Sequence, residues 1–191
     1  MSITSVKTGT TGLSLALDNN YMEPIATTVV GFGGVNQITF TDIPQTYKHL
    51  HIRLFGRISR TSGVGSGFQA RLNGDTGASS YYQSHGLSGD GASATANADG
   101  TNNVLNYDRI ASDVYSANIY GAGFIDILDY TNTNKYKTTK SLIGFDSNGA
   151  GRIFLTSNLW LNTSPITSIT FIPDSASWNQ YSRFSLYGIK G

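Results

Sequence analysis

Cysteine is absent from the 191-residue chain. Neither a disulfide framework nor a thiolate metal site is therefore available, and stability has to come from packing or assembly. Charge is also scarce: charged residues make up 13% of the chain, and thirteen basic against twelve acidic side chains leave a net charge of +1. A balance so close to neutral offers no electrostatic case for nucleic acid or for an anionic membrane surface. Long apolar runs are missing too. The opening "MSITSVKTGTTGLSLALDNN" has one early lysine and a broken apolar run, too short and too polar for a signal core or a membrane span.

What is present in quantity is glycine, with 22 residues, together with 11 Tyr and 9 Phe against only 4 Pro. Together with abundant Ser, Thr and Asn, this describes a hydroxyl-rich exterior over an aromatic core. Two-residue alternation dominates. In "KHLHIRLFGRI" (48–58), Leu50, Ile52, Leu54 and Ile58 share one face, while His49, His51, Arg53, Phe55 and Arg57 share the other. Similar runs occur at 25–30, 36–41, 67–74, 117–130, 138–145, 151–161, 166–173 and 181–189. The pattern predicts an all-β chain, a single antiparallel sandwich or jelly roll of about eight or nine strands, and no helix. Residues 21–191 form the expected domain. Its closing run, "YSRFSLYGI", reads as a strand paired on both sides.

"GFGG" (31–34), "DSNGAG" (146–151) and "LNTSP" (161–165) read as tight connections between antiparallel neighbours. "HGLSGDGASATANADGTNN" (85–103) is too long for a turn and too polar for a core, and is expected to be an exposed excursion. Residues 1–20 lack strong alternation and read either as a frayed tail or as an extended arm that orders against a neighbour.

Candidate chemistry is sparse. His49 and His51, two apart on a strand, could seat two ligands of one metal, but no third ligand is evident and Arg53 on the same face would repel a cation. Their expected role is a polar outer face. Asp126 and Asp129 have the wrong spacing to face each other from a regular strand, and Asp129 already belongs to a turn, so they do not form a glycosidase pair. "LNGDTG" (72–77) and "DSNG" (146–149) carry oxygen ligands suited to calcium, yet those residues are also the ones that turns demand. "GFGG" leads into a strand, not a helix, which excludes a phosphate-binding loop. No serine sits in a nucleophile elbow. The reading is of a protein without catalytic, cofactor or metal residues. Tyr81, Tyr82, Trp160, Trp178 and Tyr181 combine apolar faces with polar tips and are candidates for a sugar or protein contact, or else for the core.

Several phrases in order along the chain carry a family likeness: "IPQTYKHLHIR" (43–53), "RLNGDTG" (71–77), "DYTNTNKYKTTKSLIGFDSNGAG" (129–151), "LTSNLWLNTSPITSITFIP" (155–173) and "LYGIKG" (186–191). With the leader "SVKTGTTGLSLALDNN" (5–20), these resemble small virion structural proteins of tailed bacteriophages, especially those of cyanobacteria and other aquatic bacteria. The resemblance implies a β-sandwich displayed on the virion and transfers no catalytic residue. It further implies either a capsid decoration protein or a component of the tail or fibre, and the leading expectation is decoration of the head surface by a homotrimer whose partner is the major capsid protein. Residues 1–20 would then be its anchoring arm, with Ile3, Val6, Leu13, Leu15 and Leu17 as the contacts. The alternative is a tail-fibre module that recognises host surface glycans through aromatic loops.

Overall fold

The computed structural model describes residues 21–62 and 66–191; the expected arm 1–20, with Ile3, Val6, Leu13, Leu15 and Leu17, lies outside the described residues. Among the described residues the chain is all-β, with thirteen strands and no helix. In chain order these are β1 (Met22–Val29), β2 (Ile38–Phe40), β3 (His49–Gly56), β4 (Ser66–Leu72), β5 (Tyr81–Gly89), β6 (Ala94–Ala98) and β7 (Thr101–Asn102). They continue with β8 (Leu105–Ile110), β9 (Gly121–Leu128), β10 (Lys137–Asp146), β11 (Gly151–Trp160), β12 (Ile169–Pro173) and β13 (Arg183–Ile189). Nine strands form one sheet in the order β1-β13-β3-β9-β10-β11-β5-β6, with β7 beside β5; β2-β12-β4-β8 form the second. Every strand pairing is antiparallel.

This is the expected sandwich, with more strands than the eight or nine predicted. The surplus comes from 81–110, a stretch that includes the excursion expected at 85–103. There β5 pairs with β11 and β6 pairs back on β5. Two causes hid these strands. Ala, Ser, Asn and Gly are weak strand formers. In addition, the register between β5 and β11 shifts between Ser157 and Leu159, so the alternation within β5 changes phase. Two connections also differ from expectation. "GFGG" joins β1 to β2 and "LNTSP" joins β11 to β12, so each carries the chain from one sheet to the other. Gly34, at φ +72°, passes so close to Trp178 that a Cβ would lie 2.7 Å from its carbonyl oxygen. The third expected connection is a hairpin: "DSNGAG" closes β10 onto β11, with Asn148 and Gly149 at positive φ.

The two sheets meet on aromatic side chains. Phe68 of β4 and Phe171 of β12 face Phe184 of β13, and Trp178, in the β12–β13 connection, fills the space between them. Ring centroids are 4.8 Å apart for Trp178 and Phe184 and 5.3 Å for Phe68 and Trp178. Under β8 the inner face is more polar. The Tyr107 hydroxyl donates to Thr139, Ser141 pairs with Thr156, and the Asn158 side-chain oxygen accepts from the Asn106 amide. Lys137 is wholly buried, and its ammonium donates to the carbonyls of Asn132, Lys135 and Thr163. β13 lies between β1 and β3, as expected for the last strand.

Arg57 departs from the alternation that placed it outside with Arg53. It follows the end of β3 and is buried, with Nε donating to Asp113 and its terminal nitrogens to the carbonyls of Tyr115, Ser116 and Ile119. A buried guanidinium is tolerated only when paired and hydrogen-bonded throughout. Arg57 thus holds the 113–119 connection against the sheet.

Phe184→Ala should cost about 3–5 kcal/mol, as for an aromatic removed from a packed core. Phe124→Ala, on the outward face of β9, should stay within about 0.5 kcal/mol. Urea unfolding midpoints of the two variants check the assignment of inner and outer faces.

Candidate functional site

The outward face of the nine-stranded sheet is organised in transverse rows set by strand register. One row runs Arg53, Phe124, Leu142, Leu155, Leu87 and Ala96 across β3, β9, β10, β11, β5 and β6. The next runs Tyr187, His51, Asp126, Lys140, Ser157 and His85, starting one strand earlier at β13. On the other side lie Arg183, Phe55, Ala122, Gly144 and Ile153. A polar row is thus followed by two largely apolar ones. Phe124, Leu155 and Leu87 are 37%, 50% and 56% exposed, although strand faces open to water normally carry polar residues. Contiguous exposed apolar area of this kind marks contact surfaces. β6, at the sheet edge, is exposed along its whole length, and its "ATANA" carries no lysine or proline of the kind that protects an edge.

At the β13–β3–β9 end the face is concave. A groove of about 530 Å³ is lined by His51, Arg53, Phe55, Phe124, Arg183 and Tyr187, with Ala122 and Ser185 between them. Leu54 points into the core, so it can line this groove only through its backbone. The short side chains of Ala122 and Ser185 leave that backbone uncovered. The ring of Phe55 stacks on Tyr120 at 4.9 Å and Phe124 stacks on His51 at 5.6 Å. His51 Nδ1 lies 2.6 Å from Asp126 Oδ1; an ionised carboxylate can only accept, so Nδ1 donates. Among the described residues, Arg53 and Arg183 have no side-chain hydrogen bond or ion pair.

The candidates for other chemistry are structural. His49 Nδ1 accepts from the Asp129 backbone N–H at 2.9 Å, which occupies the lone pair a metal would need. Among the described residues no group of three His, Cys, Asp or Glu could hold a metal ion. Asp129, at positive φ, is the turn residue expected. Hydrogen bonds from Lys135 and Lys48 hold its carboxyl down at about 2, although burial opposes them. Asp75, in "LNGDTG", does the work of a turn: one carboxylate oxygen accepts from Gly77 N–H and Ser80, and the other accepts from Trp160 Nε1 at 2.8 Å. Burial raises the Asp75 carboxyl, but these three hydrogen bonds outweigh it and leave it below its ordinary value.

The aromatic candidates divide. Tyr81, Trp160 and Trp178 are fully buried, which removes them from any contact surface. Tyr81 instead donates to backbone oxygens and receives the Leu72 amide, and Trp160 stacks on it. Tyr82 is on the outward face beside His85, with which it stacks, and Tyr181 is 65% exposed beside the Val29, Phe55 and Arg183 depression. The residues missed are Phe124, Leu142, Leu155 and Leu87, which converge from four strands, and Arg183, which register brings close to Arg53. No family model, curated protein or solved structure matches the chain.

Both depressed carboxyls fix the sign of the pH dependence. A carboxyl whose folded value lies below its unfolded value of about 4 contributes stability above that pH and loses it as pH falls through the folded value. Stability should therefore decline from about pH 4 towards the Asp129 value of about 2. Lys135→Gln should flatten the Asp129 part of that decline. Asp75→Ala should cost about 1–3 kcal/mol by leaving the buried indole N–H without an acceptor. Trp160 fluorescence during denaturant unfolding at several pH values reads both effects.

Proposed function

We propose that the chain is a structural protein of a tailed-bacteriophage virion, a capsid decoration protein acting as a homotrimer on the head surface. The observation that carries this reading is the apolar row Leu142, Leu155 and Leu87, continuous across three adjacent strands on an outward face. A water-facing row of that composition is expensive to leave uncovered, since each apolar side chain taken from water is worth about 1.5–3 kcal/mol. Its occupant in this reading is a second copy of the chain. The alanines of the open edge β6 allow the close approach that such a contact needs.

The resemblance to virion proteins and the low-charge, cysteine-free composition support the same role. A decoration protein works mechanically. Many modest contacts, repeated around a symmetric shell, add through multivalency and resist internal pressure. The arm 1–20, with Ile3, Val6, Leu13, Leu15 and Leu17, is the proposed anchor on the major capsid protein.

Two measurements test this. Light scattering should give a trimer for the full chain and a monomer for Leu87→Glu/Leu155→Glu, because burying two carboxylates against an apolar partner is prohibitive. Quantitative mass spectrometry of purified virions should give this chain and the major capsid protein at about one to one, or one to a few, as multivalent decoration requires. A ratio of about one to a hundred would exclude decoration and move the protein to the tail, where a fibre role recognising host glycans takes its place.

A further inference from the structure

Arg53 and Arg183, which like Arg71 and Arg152 form no ion pair among the described residues, lie together on one outward face. Arg57 is paired with Asp113 and Arg60 with Asp174, whereas these two have no protein counter-ion among the described residues. Register places Arg53 opposite Ser185 and Arg183 opposite Phe55 on the same two strands. The two cations are therefore diagonal neighbours on one face, within reach of a single small anion. Like charges in such positions repel, so a cost is retained that a shared anion would remove. The carboxylate one row away, Asp126, is already engaged by His51.

The surroundings select the kind of anion. Phe55 and Phe124 flank the cations, each held by a stacked neighbour, so the walls are apolar and fixed. Tyr187, within the same lining, supplies a hydroxyl, whereas the Ser185 hydroxyl is buried and accepts from Thr27. A bare inorganic anion would leave those rings unused. An extended acidic peptide would need free backbone groups, but β3, β9 and β13 are each paired on both sides. The fitting ligand has a carboxylate, one apolar face and a hydroxyl. The groove volume, about 530 Å³, lies within the ordinary range for small-molecule sites.

We infer that the groove between Phe55, Phe124 and Tyr187 binds a hexuronate, an acidic sugar ring whose carboxylate is shared by Arg53 and Arg183. The planar guanidinium forks grip the carboxylate, Phe124 packs on the C–H face of the ring, and the Tyr187 hydroxyl bonds to a ring hydroxyl. The inference does not depend on the decoration role. The self-association variants lie in β5 and β11, outside the groove, so either reading can fail alone.

The test is isothermal titration of the full chain with a galacturonic acid tetrasaccharide, its fully methyl-esterified counterpart and a hexaglutamate peptide. The acidic sugar should bind, and the neutral ester should bind at least about tenfold more weakly, because charge-assisted hydrogen bonds to the carboxylate are lost. Arg53→Gln/Arg183→Gln should abolish binding while keeping the thermal midpoint of the parent, and Arg53→Lys should weaken it severalfold. Leu87→Glu/Leu155→Glu should bind like the parent. Equal affinity for acid and ester, undiminished binding by the double arginine variant, peptide binding as tight as the sugar, or no heat with the acidic sugar at millimolar concentration would each overturn the assignment.

Discussion

The contact on which the rest of the structure depends is the interlock of Phe68, Phe171, Trp178 and Phe184 between the two sheets. Phe68 and Phe171 belong to the four-stranded sheet and Phe184 to the nine-stranded one. Trp178 comes from neither. It sits in the connection between β12 and β13, and its backbone exchanges two hydrogen bonds with Val35, in the connection between β1 and β2. Two of the connections that cross between the sheets are thereby tied to one residue. The sheets cannot slide past each other without unpacking it. Close aromatic packing of this kind has few alternative arrangements, so it fixes relative position as well as adding stability.

That fixed geometry has a consequence for the surface. A sheet of nine strands packed on a sheet of four has one face committed to the core and one with nothing over it among the described residues. In an ordinary open sheet the uncovered face turns polar. Here it is polar through the row containing His51, Asp126 and Lys140, while the next two rows keep Phe124, Leu155, Leu87 and Ile153. No local folding requirement accounts for those choices, since the inward faces of the same strands already supply the core. A surface-contact role does account for them.

Much of this was legible in the sequence, and the illegible parts share a cause. The alternation at 48–58 correctly set His51, Arg53 and Phe55 against Leu50, Ile52 and Leu54, because period two is a property of one strand. Arg57 broke it because alternation ends with the strand, and what a guanidinium does beyond that point depends on carbonyls about sixty residues away. Tyr81, Trp160 and Trp178 were ambiguous for a different reason. Their rings suit a core or a surface equally, and only the acceptors for their polar tips decide. The row through Leu87, Leu155, Leu142 and Phe124 was beyond reach, since it exists only once the registers of four strands are known. Within each strand these residues look like ordinary alternating apolar positions, with no sign of which side faces out.

The same dependence on register explains how one sheet can hold two kinds of surface side by side. Moving along the face by one strand changes which residue pairs with which, without disturbing any inward residue. Short side chains at Ala122 and Ser185 open a concavity at one end; Leu87 and Leu155 line a second, more apolar depression of about 440 Å³ at the other. The inward residues of the same strands, among them Ile125, Ile127, Ile143, Phe154, Trp160 and Tyr81, are buried on the opposite side. Substitutions on this face are therefore insulated from the core, and charge, shape and apolarity can vary there with little effect on the fold. A rigid scaffold whose outward rows vary independently suits the contact role proposed above. The backbone contributes no free donors within the sheet, so whatever meets this face is recognised by side chains alone.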